Sequence, residues 1–135
     1  MKEMTIEAAT ENIHTVTDFV LAELDKRDCP IKAQTQIGVA VEEIFVNIAL
    51  YAYAPETGKA DITFDVDKEK KEAVITFRDK GVAFNPLEKQ DPDVTQSAEE
   101  RQIGGLGIYI VKKTMDQVTY ERVNDENVLT IVKKF

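Results

Sequence analysis

Histidine, cysteine and serine are nearly missing from this 135-residue chain, and tryptophan is missing altogether. A single histidine, His14, excludes metal centres built on several imidazoles. A single cysteine, Cys29, excludes a disulfide framework and a cysteine zinc cluster, and suits a reducing compartment. With Ser97 the lone serine, a Ser-His-Asp triad would have to pair Ser97 with His14. Basic residues are also short, 17 Lys and Arg against 25 Asp and Glu, for a net charge of −8. Phosphate backbones and anionic lipids both ask for a basic surface, so the composition speaks against direct nucleic-acid or membrane partners. No apolar run reaches the roughly 20 residues of a membrane span, and MKEMTIEAATENIH lacks the h-region of a secretory signal. The Walker P-loop and the V-A-I-K, H-R-D and D-F-G signatures of eukaryotic-type kinases are absent as well. The expectation is one cytoplasmic domain that handles any nucleotide by another device.

What is present suffices for a core: 43% of residues are hydrophobic, and the length fits one domain, residues 1–135. Met4 to Ala8 reads as a short strand. Thr10 or Asn12 then caps a helix with Ile13, Val16, Phe19, Val20 and Leu24 at helical spacing, ending near Pro30. A longer helix spans about 32–53, with one apolar stripe of Ile37, Val41, Ile44 and Ile48 and a second of Val39, Val46 and Leu50, which predicts burial on more than one side. Strands follow at 62–66 and 74–78, then a long irregular stretch, a helix opening on glycines at 106–115, and strands at 117–123 and 128–134 joined at Asn124–Asn127. This order predicts an α+β fold, a two-layer sandwich with a mixed, mostly antiparallel sheet covered on one face by helices.

Three segments carry candidate chemistry. Glu43 and Asn47, four apart, share one face of the long helix among apolar neighbours. Buried polar groups need partners. A lysine for Glu43 and backbone for Asn47 would serve; so would a role for the carboxylate as base and for the amide oxygen as ligand to a hard cation such as Mg²⁺. In Asp79-Lys80-Gly81, at a strand end, the carboxylate can accept from an exocyclic amine and Gly81 lets a ring approach the backbone; an ordinary turn is the plain alternative. Gly104-Gly105-Leu106-Gly107 precedes a helix whose N-terminal amides and dipole suit phosphate, or serves only as a hinge.

Taken in order, Glu-x-x-x-Asn, Asp-x-Gly and Gly-x-Gly resemble the N, G1 and G2 boxes of the Bergerat-fold ATP-binding domain shared by gyrase B, Hsp90, histidine kinases and MutL, the GHKL superfamily. The segments 41–47 (VEEIFVN), 79–86 (DKGVAFNP) and 104–116 (GGLGIYIVKKTMD) are most similar to the anti-sigma-factor serine/threonine kinases, and the resemblance covers nearly the whole chain. It implies ATP and Mg²⁺ as cofactors. Asn47 would bind the metal, Glu43 would be the general base, Asp79 would recognise the adenine amine, Gly81 would let the base pack close, and Phe84 would be among the cofactor-binding residues. Gly104, Gly105, Leu106 and Gly107 would form the phosphate turn, and residues of about 86–103 a lid from which Arg101 reaches the γ-phosphate. The lid holds Glu88, Asp91, Asp93, Glu99 and Glu100 against Lys89 and Arg101.

The implied activity is phosphorylation of a small STAS-domain antagonist, with transcription regulated by partner switching with a sigma factor; a homodimer built on the first helix and strand is also implied. Two positions depart from the pattern. Tyr51 stands where that branch often has histidine, while Tyr53 is kept, and Arg101 lies three residues before Gly104. Both favour keeping a second function open: a non-catalytic, ATP-gated protein-binding module.

Overall fold

A computed structural model describes residues 1–88 and 105–135. Five strands, β1 (Lys2–Glu7), β2 (Lys59–Asp67), β3 (Glu72–Asp79), β4 (Gln117–Val123) and β5 (Glu126–Lys134), form one sheet in the order β1-β2-β3-β5-β4. Among the described residues all four pairings are antiparallel, where the element order had suggested a mixed, mostly antiparallel sheet. Period-two alternation in the strands decides which side is covered. Ile62 and Phe64, Ile75 and Phe77, and Leu129 and Ile131 are buried on one face, whereas Thr63, Thr76 and Thr130 in the same strands stay partly open on the other.

Helices α1 (Ile13–Asp25), α2 (Ile31–Asn47) and α3 (Gly105–Thr114) cover the buried face. Helix α1 contributes Val16, Val20 and Leu24, and α2 contributes Ile37, Val41, Ile44 and Phe45. The second apolar stripe expected on the long helix is not buried as its composition suggested: Val39 of α2 is 39% exposed and Leu50, three residues past the end of α2, 47%, because the sheet lies on one side of this helix only. The Asn12 side chain does not cap α1; its amide donates back to the Glu7 carbonyl at 2.9 Å. Taken with the turn that follows it, α2 is long and apolar enough by composition to cross a membrane (Ile31–Ala52), but its apolar face is packed into the core.

Two local features aim the chain at one end of the sheet. The helix that carries Asn47 does not stop there but continues as a π-helical turn, Ile48–Ala52, a widening often found beside functional sites. At the far edge, β4 and β5 are joined through Asn124 and Asp125, both at positive φ (51° and 64°), as a tight two-residue hairpin demands.

Candidate functional site

The end of β3, the π-helical turn, α3 and the β4–β5 hairpin converge on a narrow pocket of about 30 Å³ that opens to solvent. Asn47 and Asp79, expected from sequence to serve one ligand, both line it, together with Phe84 and an apolar wall that includes Ile44, Phe77 and Ile108.

Asp79 is the most constrained of these groups. It is 6% exposed, and one carboxylate oxygen, Oδ1, accepts from the Gly81 N–H at 2.9 Å and from the Asn127 amide at 2.9 Å. The other oxygen, Oδ2, has no hydrogen-bond partner among the described residues. A buried carboxylate oxygen without a partner is costly unless a ligand donor completes it.

Asn127 explains why Oδ2 is the free one. Its amide nitrogen donates to Asp79 Oδ1 and, at 2.8 Å, to the Val82 carbonyl; its oxygen accepts from the Phe84 N–H at 3.3 Å and from the Tyr120 hydroxyl. All four bonds available to a carboxamide of this geometry are made inside the protein, so Asn127 positions Asp79 and the loop behind it. The loop is gripped from two more directions. Arg122 donates to the Gly81 carbonyl at 2.8 Å, and the Val82 N–H donates to the Ala52 carbonyl at 2.9 Å. Gly81 packs so closely on the π-helical turn that a Cβ there would lie 2.2 Å from the Ala52 carbonyl oxygen. No side chain is admissible, which gives the Asp-x-Gly spacing a steric cause.

One helical turn before Asn47, the Glu43 carboxylate lies against α3. A Cβ on Gly107 would fall 2.0 Å from Glu43 Oε2, so the glycine lets the carboxylate meet the start of that helix. Neither the lysine partner nor the backbone bond weighed from sequence is found: among the described residues Glu43 and Asn47 make no ion pair or side-chain hydrogen bond. Burial first, and then the neighbouring Glu42 carboxylate, push the Glu43 carboxyl above the usual carboxylate range. Tyr51 is 42% exposed with its ring centroid 6.0 Å from that of Phe84.

The remaining expectations divide. Gly105 and Leu106 lie in the first turn of α3, as the phosphate-turn reading requires of the backbone. Arg101, Gly104 and the lid beyond Glu88 lie outside the described residues. Glu43 does not line the pocket; it sits beside it. Sequence reasoning missed Asn127, Arg122 and Tyr120. Asn127 reads as one more turn residue in Asn124–Asn127, and only the β3–β5 register, which sets it opposite Asp79, reveals its use.

These observations define an α+β domain with helices on one face of an antiparallel sheet and a pocket at one sheet end, bordered by α3. The family model of the histidine kinase-like ATPase domain matches residues 6–133, and the chain belongs to that family. It is 24% identical to a protein named serine-protein kinase RsbW from Bacillus mycoides (strain KBAB4) over 98% of this chain and 83% of that one. It is 28% identical to a protein of the same name from Bacillus cereus (strain AH187) over 72% of this chain, a match spanning 61% of that relative. In fold it is similar to the histidine kinase domain of the Erythrobacter litoralis EL346 blue-light activated histidine kinase, with a TM-score of 0.55 and 13% identity over 90% of this chain and 60% of that one.

Proposed function

We propose that this chain binds ATP with Mg²⁺ and transfers phosphate to a serine or threonine of a small partner protein. The observation that carries the reading is the buried Asp79 in the pocket that Asn47 also lines, one of its carboxylate oxygens having no hydrogen-bond partner among the described residues, which suits a ligand with an exocyclic amine at one end and anionic groups toward α2 and α3. Bound ATP would supply the phosphoryl group, and Mg²⁺ would neutralise its oxygens. Asp79 would accept from the adenine amine, and Asn47 would offer its amide oxygen to the metal. The first amides of α3, free of intrahelical partners, would face the phosphates. Glu43 would take the proton of the acceptor hydroxyl as its oxygen bonds to phosphorus and the bridging oxygen departs with ADP. A carboxyl held above its ordinary range is the better base for that task.

In the partner we propose a STAS-domain antagonist, with a sigma factor released or held according to its phosphorylation state, in a cytoplasmic, homodimeric protein. The kinship to proteins named serine-protein kinase supports this choice. Incubation with γ-labelled ATP and a candidate STAS partner is the test, with Glu43→Ala as the reference. Transfer no faster than that variant's would remove the kinase, and sedimentation as a monomer would remove the dimer. Tyr51 favours a second reading, an ATP-gated binding module without transfer. That reading expects ATP binding by calorimetry and nucleotide-dependent partner affinity with no labelled product.

A further inference from the structure

Tyr53 follows the π-helical turn directly and does something its neighbours do not. Its hydroxyl donates to the Lys59 carbonyl at 2.6 Å and accepts from the Lys80 N–H at 2.8 Å. Ala60 and Asp79 are the last pair in the β2–β3 register, so Lys59 and Lys80 stand one step beyond it. Here the phenol oxygen stands between two backbone groups that a continued antiparallel ladder would bring to about 2.9 Å of each other. It acts as a spacer that stops the ladder at Asp79 and turns the chain toward the pocket. The ring is held for this purpose. It lies flat on Gly58, where a Cβ would be 2.3 to 2.4 Å from three ring carbons. The hydroxyl also completes a series: the consecutive amides of Lys80, Gly81 and Val82 donate to Tyr53, to the Asp79 carboxylate and to the Ala52 carbonyl. Two of those three acceptors, Ala52 and Tyr53, are the last residue of the π-helical turn that continues the Asn47 helix and the residue that follows it.

We propose that Tyr53 is a positioning residue for base recognition, setting the aim of Asp79 from the end of the helix that bears Asn47. The proposal rests on the nucleotide reading above and adds the residue that ties its two ends together. Tyr53→Phe keeps the ring on Gly58 and removes only the spacer oxygen, leaving Lys59 and Lys80 either unpaired or closed on each other. Both outcomes move the Asp79 carboxylate relative to the pocket.

The test is calorimetric titration of the whole chain with ATP and GTP, each with Mg²⁺. Wild type is expected to favour ATP. In Tyr53→Phe, ATP affinity should fall about five- to tenfold with GTP affinity nearly unchanged, so that the preference collapses. A purely structural role would weaken both nucleotides alike, and an unchanged ATP preference in a folded variant overturns the role of Tyr53 while leaving nucleotide binding intact. Wild type that binds neither nucleotide overturns the nucleotide reading itself, and this inference with it. Should the variant fail to fold, amide exchange in the wild-type protein decides: Lys80, outside the strand ladder, is expected to exchange slowly and more slowly still with ATP. Rapid exchange there would overturn the proposal.

Discussion

Replacing Asn127 by aspartate is the sharpest available perturbation of the pocket, because it changes one nitrogen to oxygen and almost no volume. The amide nitrogen lies 2.9 Å from Asp79 Oδ1. With Asn127→Asp, two carboxylates meet at that spacing inside a buried site. At an effective dielectric of about 20, two unit charges so placed repel by about 6 kcal/mol. Holding a proton on a carboxyl costs only about 1.4 kcal/mol for each pH unit above its ordinary pKa. The folded variant therefore keeps one proton shared between the two side chains across the neutral range, while the unfolded chain has released it by about pH 5. A group that binds its proton more tightly when folded lends stability at low pH and withdraws it as pH rises. Between about pH 5 and about pH 7.5 the variant should lose about 3 kcal/mol relative to wild type. Asn127→Ala has no such proton. It strips the four hydrogen bonds of Asn127 and should cost about 2–4 kcal/mol at both pH values. Urea denaturation followed by circular dichroism at the two pH values measures both. An aspartate variant whose deficit is the same at both would show that residues 79 and 127 do not meet as described.

Gly107→Ala places a methyl 2.0 Å from Glu43 Oε2, so phosphotransfer should drop at least tenfold in the labelled-ATP assay while the melting temperature moves little, the carboxylate end being free to swing aside. Glu43→Gln should abolish transfer and also change the pH profile of stability. Because folding raises the Glu43 carboxyl, wild type loses stability as pH rises above its unfolded pKa of about 4.3, and the uncharged glutamine should gain on it near neutrality but not near pH 4, as thermal melts at the two values would reveal. Gly38→Ala in the middle of α2 meets only Leu21 and Thr17 at 3.6 to 4.0 Å, ordinary contact, and should stabilise the chain by about 0.5–1 kcal/mol by chemical denaturation.

The residues that can be recognised without a structure are those whose meaning is local. Glu43 and Asn47 share a helix face by spacing alone, Asp79 and Gly81 sit at a strand end that alternation reveals, and the glycines at 104–107 announce a helix start. What stayed hidden depends on pairing. Asn127 matters because β5 lies beside β3 in one register, and a slip of one residue would turn it to the open face. Tyr53 matters because its hydroxyl reaches two strand ends. The π-helical turn has no compositional mark, since Ile48–Ala52 continues the same apolar pattern as the α-helix before it. The expected burial of Val39 and Leu50 failed for a related reason: apolarity on two sides of a helix tells how much could be covered, not how many layers the fold supplies.

Asn127 and Asp79 are 48 residues apart in sequence, and the sheet sets their strands side by side only once β5 has entered between β3 and β4. The pocket therefore cannot be present in a chain that has docked its helices and its first three strands but not its last. Ligand capture during refolding should appear only once β5 has paired with β3. A nucleotide that binds this pocket would then favour molecules with β5 in place by mass action, so that its concentration would shift the fraction of chains in that state.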